Sequence, residues 1–292
     1  MEFDLPIRIH WRPGDPANLE LVDSIRACRP LALTLEIERI GQLPPFGLPW
    51  DGVSLVIVYR GWREPDQNLI MGMAKRWEFP VHGPHEARSL ADDSFLGLTP
   101  EEAAFSWFPR RGKMADLLPL LETAARTGCG LTLPNRPAGV IKAEGSYAFP
   151  GAGELTRKLL SELESVKGRL RPDQVRVHDF ILAKALGLGG IEPRGCEAAN
   201  SIVFIDPVGR IYPCQTLMIP MGDLNRDKLD AVWASEIRKR IRREVGSLPG
   251  SCSSCLYLDR CQGGCRGAVY HLAGNYEAPD PFCALCVEDH NE

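Results

Sequence analysis

The sequence predicts an α/β fold followed by a small cysteine-rich domain, and three observations carry that expectation. Short apolar runs bounded by Gly and Pro alternate with segments of helical period over about the first 190 residues. Eight of the ten cysteines lie between positions 196 and 286. The length, 292 residues, suits two domains at roughly 100–200 residues each.

Residues 6–11 (PIRIHW), 31–38 (LALTLEIE), 53–59 (VSLVIVY) and 129–133 (CGLTL) read as strands. Residues 114–127 read as a helix with Met114, Leu117, Leu118, Leu121 and Ala125 on one face. Gly128 stands where a left-handed cap belongs, and Pro119 is expected to weaken or kink the run. Residues 154–166 form a second helical pattern, with Leu155, Leu159, Leu160 and Leu163 apolar. Alternation of this kind argues for a parallel sheet covered by helices. The runs are too few and too irregular for a complete eight-stranded barrel. Residues 187–195 (GLGGIEPRG) are a glycine-rich joint, which places a domain boundary near residue 190.

After the joint, residues 201–205, the turn DPVG (206–209) and residues 210–213 read as a β-hairpin. Residues 231–245 read as one helix with Val232, Trp233, Ile237, Ile241 and Val245 on its apolar side. From residue 250 cysteine and glycine replace the hydrophobics, as expected where metal ligation supplements a small core.

Composition excludes several classes. Hydrophobic residues make up 44% and charged residues 25%, values of a folded globular chain rather than a disordered one. A net charge of −4 gives no general attraction to nucleic acid or anionic lipid. The opening MEFDLPIRIH does not read as a signal peptide, and the apolar runs fall far short of the roughly 20 residues that span a bilayer. The expectation is a soluble, cytoplasmic chain with neither a nucleic-acid nor a membrane partner.

In a reducing compartment a cysteine cluster binds metal rather than forming disulfides. The spacing is Cys196-x12-Gly209-x4-Cys214, then Cys252-x2-Cys255-x5-Cys261-x3-Cys265, then Cys283-x2-Cys286. A Cys-x2-Cys turn directs two sulfurs to one side of a tight loop, which suits zinc and iron–sulfur clusters alike. Gly263 and Gly264 let the backbone approach an inorganic core without a Cβ clash. Eight thiols in unequal, interleaved spacing favour two iron–sulfur clusters over paired zinc knuckles.

These residues resemble the SPASM domain, the C-terminal extension of many radical S-adenosylmethionine enzymes that modify peptides or proteins. The stretches SIVFIDPVGRIYPC, MGDLNRDKLDAVWAS, DRCQGGC and DPFC carry the likeness over residues 196–286. The resemblance implies two [4Fe–4S] clusters. Cys252, Cys255, Cys261 and Cys283 would hold one; Cys196, Cys214 and Cys265 would give three ligands to the other. Some members complete the second site with a cysteine upstream of the first, but residues 189–194 contain none. That iron is then open, takes Cys286, Glu192 or Glu197, or exchanges a ligand with substrate. Cys286 is equally readable as a spare thiol.

Radical S-adenosylmethionine enzymes also place a Cys-x3-Cys-x2-Cys loop after the first barrel strand, where three thiolates leave one iron open for the cofactor. Here residues 12–18 (RPGDPAN) hold no cysteine, and Cys28 and Cys129 are isolated, as small core residues are. The string GGIEP at 189–193 sits in the joint, not after a second strand. Residues 105–135 (FSWFPRRGKMADLLPLLETAARTGCGLTLPN) resemble a strand–loop–helix–strand unit of that barrel. The reading is a degenerate or partial radical-SAM-like (β/α) barrel over 1–190 and a SPASM iron–sulfur domain over 191–292, with no S-adenosylmethionine bound.

This combination resembles the SPASM-only component of GeoRSP systems. It implies a non-catalytic accessory to a separate radical SAM/SPASM enzyme, alongside a small peptide-chaperone-like protein. The role would be electron transfer or binding of a peptide or protein substrate. Two alternatives stay open: an enzyme using an open-site cluster as a Lewis acid, and a zinc-stabilised interaction module. His82 and His85 share a metal-like spacing but read as a surface loop; His271 reads as a satisfied surface residue near Cys265. RKRIRR (238–243) reads as a solvated helix face or a dock for an acidic partner, and Trp62, Trp77 and Trp107 as core or rim aromatics.

Overall fold

The computed structural model describes residues 3–14, 17–44, 52–63, 74–92, 97–108, 113–144, 161–183 and 195–283, excluding 163, 167, 172, 179, 181–182 and 282. Ten strands lie among them: β1 Arg8–Trp11, β2 Ala32–Ile37, β3 Ser54–Tyr59, β4 Arg76–Pro80, β5 Ala103–Ser106, β6 Gly130–Leu133, β7 Val175–Val177, β8 Ile202–Ile205, β9 Arg210–Tyr212 and β10 Gly222–Asp223. The named helices are α1 Leu19–Ala27, α2 Pro84–Asp92, α3 Leu117–Thr127, α4 Ala138–Glu144, α5 Leu229–Ala234, α6 Glu236–Val245, α7 Leu258–Cys261 and α8 Arg266–Ala273. No helix among the described residues is long and apolar enough to cross a membrane.

The chain forms two compact units. One comprises Met1–Pro80, Ser94–Ala104 and Glu197–Glu244. Its strands run in the order β10-β9-β8-β1-β2-β3-β4. Pairing from β8 through β4 is parallel, with Arg8 opposite Ala32 and Ile202, and Leu33 opposite Leu55. The β2 and β3 sequences are near-continuous apolar runs because parallel strands are covered on both faces; Leu33, Leu35, Ile37, Leu55, Val56 and Ile57 are all buried. The predicted hairpin is present as the antiparallel pair β8–β9, continued by β10. Asp206 Oδ1 accepts the N–H groups of Val208 and Arg210 at 3.0 and 2.9 Å, and Gly209 takes φ +89° to close the turn.

Glu36 is the exception inside this apolar sheet. It is 2% exposed. His10 Nε2 lies 2.9 Å from one carboxylate oxygen, while Arg12 Nη2 (2.6 Å) and Arg60 Nε donate to the other. Burial alone pushes its pKa up, but the hydrogen bond and charge of His10 and the charges of Arg60 and Arg12 outweigh that. The carboxyl is held well below the usual carboxylate range. The network ties β1, β2 and the turn after β3 through one charge.

The second unit comprises Val81–Asp93, Phe105–Cys196 and Val245–Glu292. Here β6 pairs with β7 in parallel, Leu131 opposite Val175, and Trp107 N–H donates to Thr132 O at 3.0 Å. Gln174 Nε2 reaches Ala124 O and Cys129 O at 2.6 and 2.8 Å, linking the end of α3 to β6. Trp107 is buried, as is Trp77 of the first unit, while Trp62 is half-buried and donates its indole N–H to Pro80 O at 2.9 Å.

Several expectations need adjusting. The run 114–127 opens with a 3-10 turn, Met114–Asp116, and the α-helix starts at Leu117. Pro119 therefore sits in the first turn, where its missing N–H has no intrahelical partner to lose, and the helix is not broken. The buried stripe is Leu117, Leu120, Leu121 and Ala124, at i, i+3, i+4 and i+7, with Leu118 and Ala125 only half-buried. Gly128 caps it at φ +79° as expected. The segment 231–245 is two helices, because Ser235 is extended (φ −67°, ψ 153°) between α5 and α6. Ile237, expected on the apolar side, is exposed. Residues 154–160 and 163 of the 154–166 pattern lie outside the described residues; 161–162 and 164–166 are helical. The joint 187–195, Gly195 excepted, also lies outside them.

Candidate metal centre

Six of the eight tail cysteines belong to the second unit and are described there: Cys196, Cys252, Cys255, Cys261, Cys265 and Cys283. Cys286 lies outside the described residues. Cys214 belongs to the first unit, just past β9, where its sulfur accepts the Leu217 N–H at 3.2 Å. None of the nine described cysteines forms a disulfide.

Local structure sets the remaining sulfurs. Cys252 closes the 3-10 turn Gly250–Cys252 with its N–H on Pro249 O, and Cys255 N–H returns to Cys252 O at 3.0 Å. This is the tight loop that a Cys-x2-Cys spacing makes. Cys261 ends α7, and the three residues after it, Gln262, Gly263 and Gly264, take φ of 51°, 82° and 76°. A left-handed run of three turns the chain sharply into Cys265, the residue that opens α8.

The loop is held on both sides. A Cβ on Gly264 would stand 2.2 Å from Asp280 Oδ2, and one on Gly263 would meet Pro249 Cδ at 3.0 Å. Asp280 Oδ2 accepts the Cys265 N–H at 2.6 Å, and Cys283 N–H donates to Asp280 O at 2.9 Å. Gly195 N–H donates to Arg260 O at 2.7 Å, and a Cβ on Gly195 would lie 2.2 Å from Gln262 Oε1. Residues 195, 260–265, 280 and 283 are thereby fixed to one another, and the segments bearing Cys196, Cys261, Cys265 and Cys283 converge. The Asn135 amide lies 3.4 Å from Cys265 Sγ, and Cys265 also packs against Ile141 and Ala268.

Arg266 is buried beside these cysteines, and it was not among the residues the spacing singled out. Burial lowers its pKa; the charges of Cys196, Asp280, Cys252 and Cys265 push it back up. Asp280, in the stretch DPFC, and Asn135, at the end of 105–135, had no role assigned by the spacing either. A signal for Arg266 exists in hindsight: a cation in the first turn of a helix opposes the helix dipole and asks for a local anion.

Among the described residues no three Cys, His, Asp or Glu side chains are placed to hold a single metal ion. Ligands of a cluster bind separate irons and stand farther apart than ligands of one ion. The residues fit such a group on three counts: an all-thiol donor set, a glycine turn with no Cβ, and a buried cation among the sulfurs. His82 and His85 are exposed at the start of α2, and His271 on α8 stacks edge-on against Tyr270. Cys28 and Cys129 are buried core thiols, as expected; burial lifts Cys28 to about 11 and raises Cys129 too.

Comparison with known proteins adds four results. The model of SPASM, an iron-sulfur cluster-binding domain, matches residues 196–256. The chain is 30% identical over 310 residues to the PqqA peptide cyclase of Rhodopseudomonas palustris, covering 96% of this chain and 74% of that protein. It is 33% identical over 187 residues to the mycofactocin maturase MftC of Mycobacterium tuberculosis, covering 62% and 46%. The chain thus spans about half the length of the mycofactocin maturases of Mycobacterium tuberculosis and Mycolicibacterium smegmatis. Streptococcus suis SuiB bound to S-adenosylmethionine shares the fold, with a TM-score of 0.58 at 13% identity over 97% of this chain and 78% of that one. A parallel α/β sheet, a SPASM match on the cysteine-bearing tail and alignment over nearly the whole sequence agree: this chain belongs to the radical SAM/SPASM superfamily.

Proposed function

We propose that this chain is a non-catalytic iron–sulfur accessory protein to a separate radical SAM/SPASM enzyme that modifies a peptide or protein. The observation that carries the reading is the segment after β1. Residues 12–18 contain no cysteine, and the first thiol beyond β1 is Cys28, a buried residue at the end of α1. The chain supplies thiols in its tail while its front half has none arranged to bind the reactive cluster.

In this reading residues 1–190 form a degenerate barrel and 191–292 the SPASM domain with two [4Fe–4S] clusters. Cys252, Cys255, Cys261 and Cys283 hold one; Cys196, Cys214 and Cys265 hold the other, with Cys286 a candidate fourth ligand. Thiolate-bound clusters supply one-electron transfer, at potentials set by burial and hydrogen bonds. The chain's own residues do the rest. Asp280 fixes the Cys265 backbone, Gly263 and Gly264 let the chain close on the core, and Leu217 N–H donates to Cys214 Sγ. Partners are the radical enzyme, a small peptide-chaperone-like protein and the peptide substrate; no S-adenosylmethionine binds here and the chain is cytoplasmic.

A second reading has one observation behind it. Residues 189–194 hold no cysteine, so the three-thiol site can present an open iron to a substrate as a Lewis acid. The discriminating assay incubates the anaerobically reconstituted chain with S-adenosylmethionine and dithionite. No 5′-deoxyadenosine is expected; its formation in excess over protein would contradict the proposal.

A further inference from the structure

Arg266, the first residue of α8, is 0% exposed. Its Nη1 donates to Gly263 O at 2.9 Å and Ala278 O at 3.3 Å. Nε and Nη2 meet no acceptor. A guanidinium stays charged inside a protein and presents five donors in a rigid fork, so an enclosed one with two nitrogens idle is costly unless an anion completes it. The helix N-terminus adds positive potential of its own. The Asp280 oxygen nearest the loop is already taken by the Cys265 N–H at 2.6 Å. Arg266 directly follows Cys265 and its Nη1 holds the carbonyl of Gly263, between Cys261 and Cys265, while the charges of Cys196, Asp280, Cys252 and Cys265 all act on it.

We infer that Arg266 is a positioning residue that donates Nε–H and Nη2–H to sulfur atoms of the iron–sulfur cluster held through Cys196 and Cys265, and so sets its potential. The inference rests on the cluster-bearing reading of the tail and goes beyond it by naming the residue that tunes one cluster. A thiolate-ligated cluster is anionic and gains negative charge on reduction. Donated hydrogen bonds and a fixed positive charge therefore favour the reduced state.

The test uses the full chain, reconstituted anaerobically, as wild type, Arg266→Gln and Arg266→Lys. Iron and acid-labile sulfide are measured first, and wild type without either overturns the cluster reading itself before any variant is compared. Each preparation is then titrated with dithionite while the reduced-cluster EPR signals are followed. Arg266→Gln is expected to keep its iron but show at least a tenfold lower reduced-to-oxidised ratio for one cluster at fixed ambient potential, equivalent to about 59 mV for one electron. Arg266→Lys, which keeps the charge but loses the fork, is expected to fall between. A fully loaded Arg266→Gln protein that titrates with wild type overturns the inference. If Arg266→Gln loses its iron, Arg266→Lys decides: a loaded cluster with a lowered potential supports the inference, and lost iron or an unchanged potential overturns it.

Discussion

The Asp280 carboxylate accepts the backbone N–H of Cys265 at 2.6 Å and lies against the Cα of Gly264, binding the segment around residue 280 to the turn that opens α8. A methyl group at Gly264 would stand 2.2 Å from Asp280 Oδ2, and the residue already occupies φ +76°. Gly264→Ala should therefore incur about 1–2 kcal/mol of left-handed strain. It should also displace Asp280, leaving the Cys265 donor unpaired at about 1–3 kcal/mol. Urea unfolding of the purified protein checks this. Asp280→Asn, which retains an oxygen acceptor, should cost less than Gly264→Ala, and equal stability of Gly264→Ala and wild type would contradict the account.

Glu36 makes stability depend on pH in a definite direction. Its folded-state pKa lies below the value of about 4.3 expected in the unfolded chain, so the unfolded chain binds the proton first. The stabilisation is complete above about pH 5 and is lost as the pH falls through the folded-state pKa. Glu36→Gln should cost at most about 3 kcal/mol at pH 7, the low end for breaking a buried pair, because Arg12 and Arg60 keep 37% and 41% of their side-chain surface in water. The variant should also show a flatter stability profile between pH 5 and 2 than wild type; parallel profiles would refute the assignment.

Cys28 and Cys129 are enclosed thiols with raised pKa values, Cys28 at about 11. Thiolate is the nucleophile, so both should resist iodoacetamide at pH 8 in the folded chain and react only after urea is added. Peptide mass spectrometry reads the sites directly. Labelling of either residue in the folded state at the unfolded rate would show that the core is not as described.

The arginines of α6 are not equivalent, although the sequence groups them as one basic face. Arg238 is 4% exposed, with its guanidinium carbon 4.8 Å from the centre of the Trp233 ring; Trp233 in turn donates its indole N–H to Phe3 O at 2.9 Å. Arg238→Ala should destabilise by about 1–2 kcal/mol through the lost cation–π contact and packing. Arg243 is exposed, and Arg243→Ala should stay within about 0.5 kcal/mol. Thermal unfolding of the two variants side by side separates the positions.

Parts of the fold that follow from local chemistry were legible in the sequence. β1, β2, β3 and β6 are apolar runs bounded by breakers, Gly128 is a cap, and Asp206 and Gly209 make a hairpin turn whatever surrounds them. The strands that escaped do not look like strands. β4 buries Arg76 and Glu78 as a pair 3.4 Å apart, so its sequence reads as polar, and β7 is only three residues long; β5 was anticipated only at its end, through the strand-like start of 105–135. The break at Ser235 has no Gly or Pro to announce it. Cysteine spacing pointed to the tail, but spacing is silent on what packs between sulfurs, which is why Arg266, Asp280 and Asn135 emerge only from the folded chain.

Metal and sulfide analysis of the anaerobically purified chain tests the central claim most directly. Two [4Fe–4S] clusters require about eight irons and eight acid-labile sulfides per chain, and substituting Cys252 or Cys261 by alanine should remove about half of each while leaving zinc absent. A colourless protein carrying zinc and no sulfide would contradict the account.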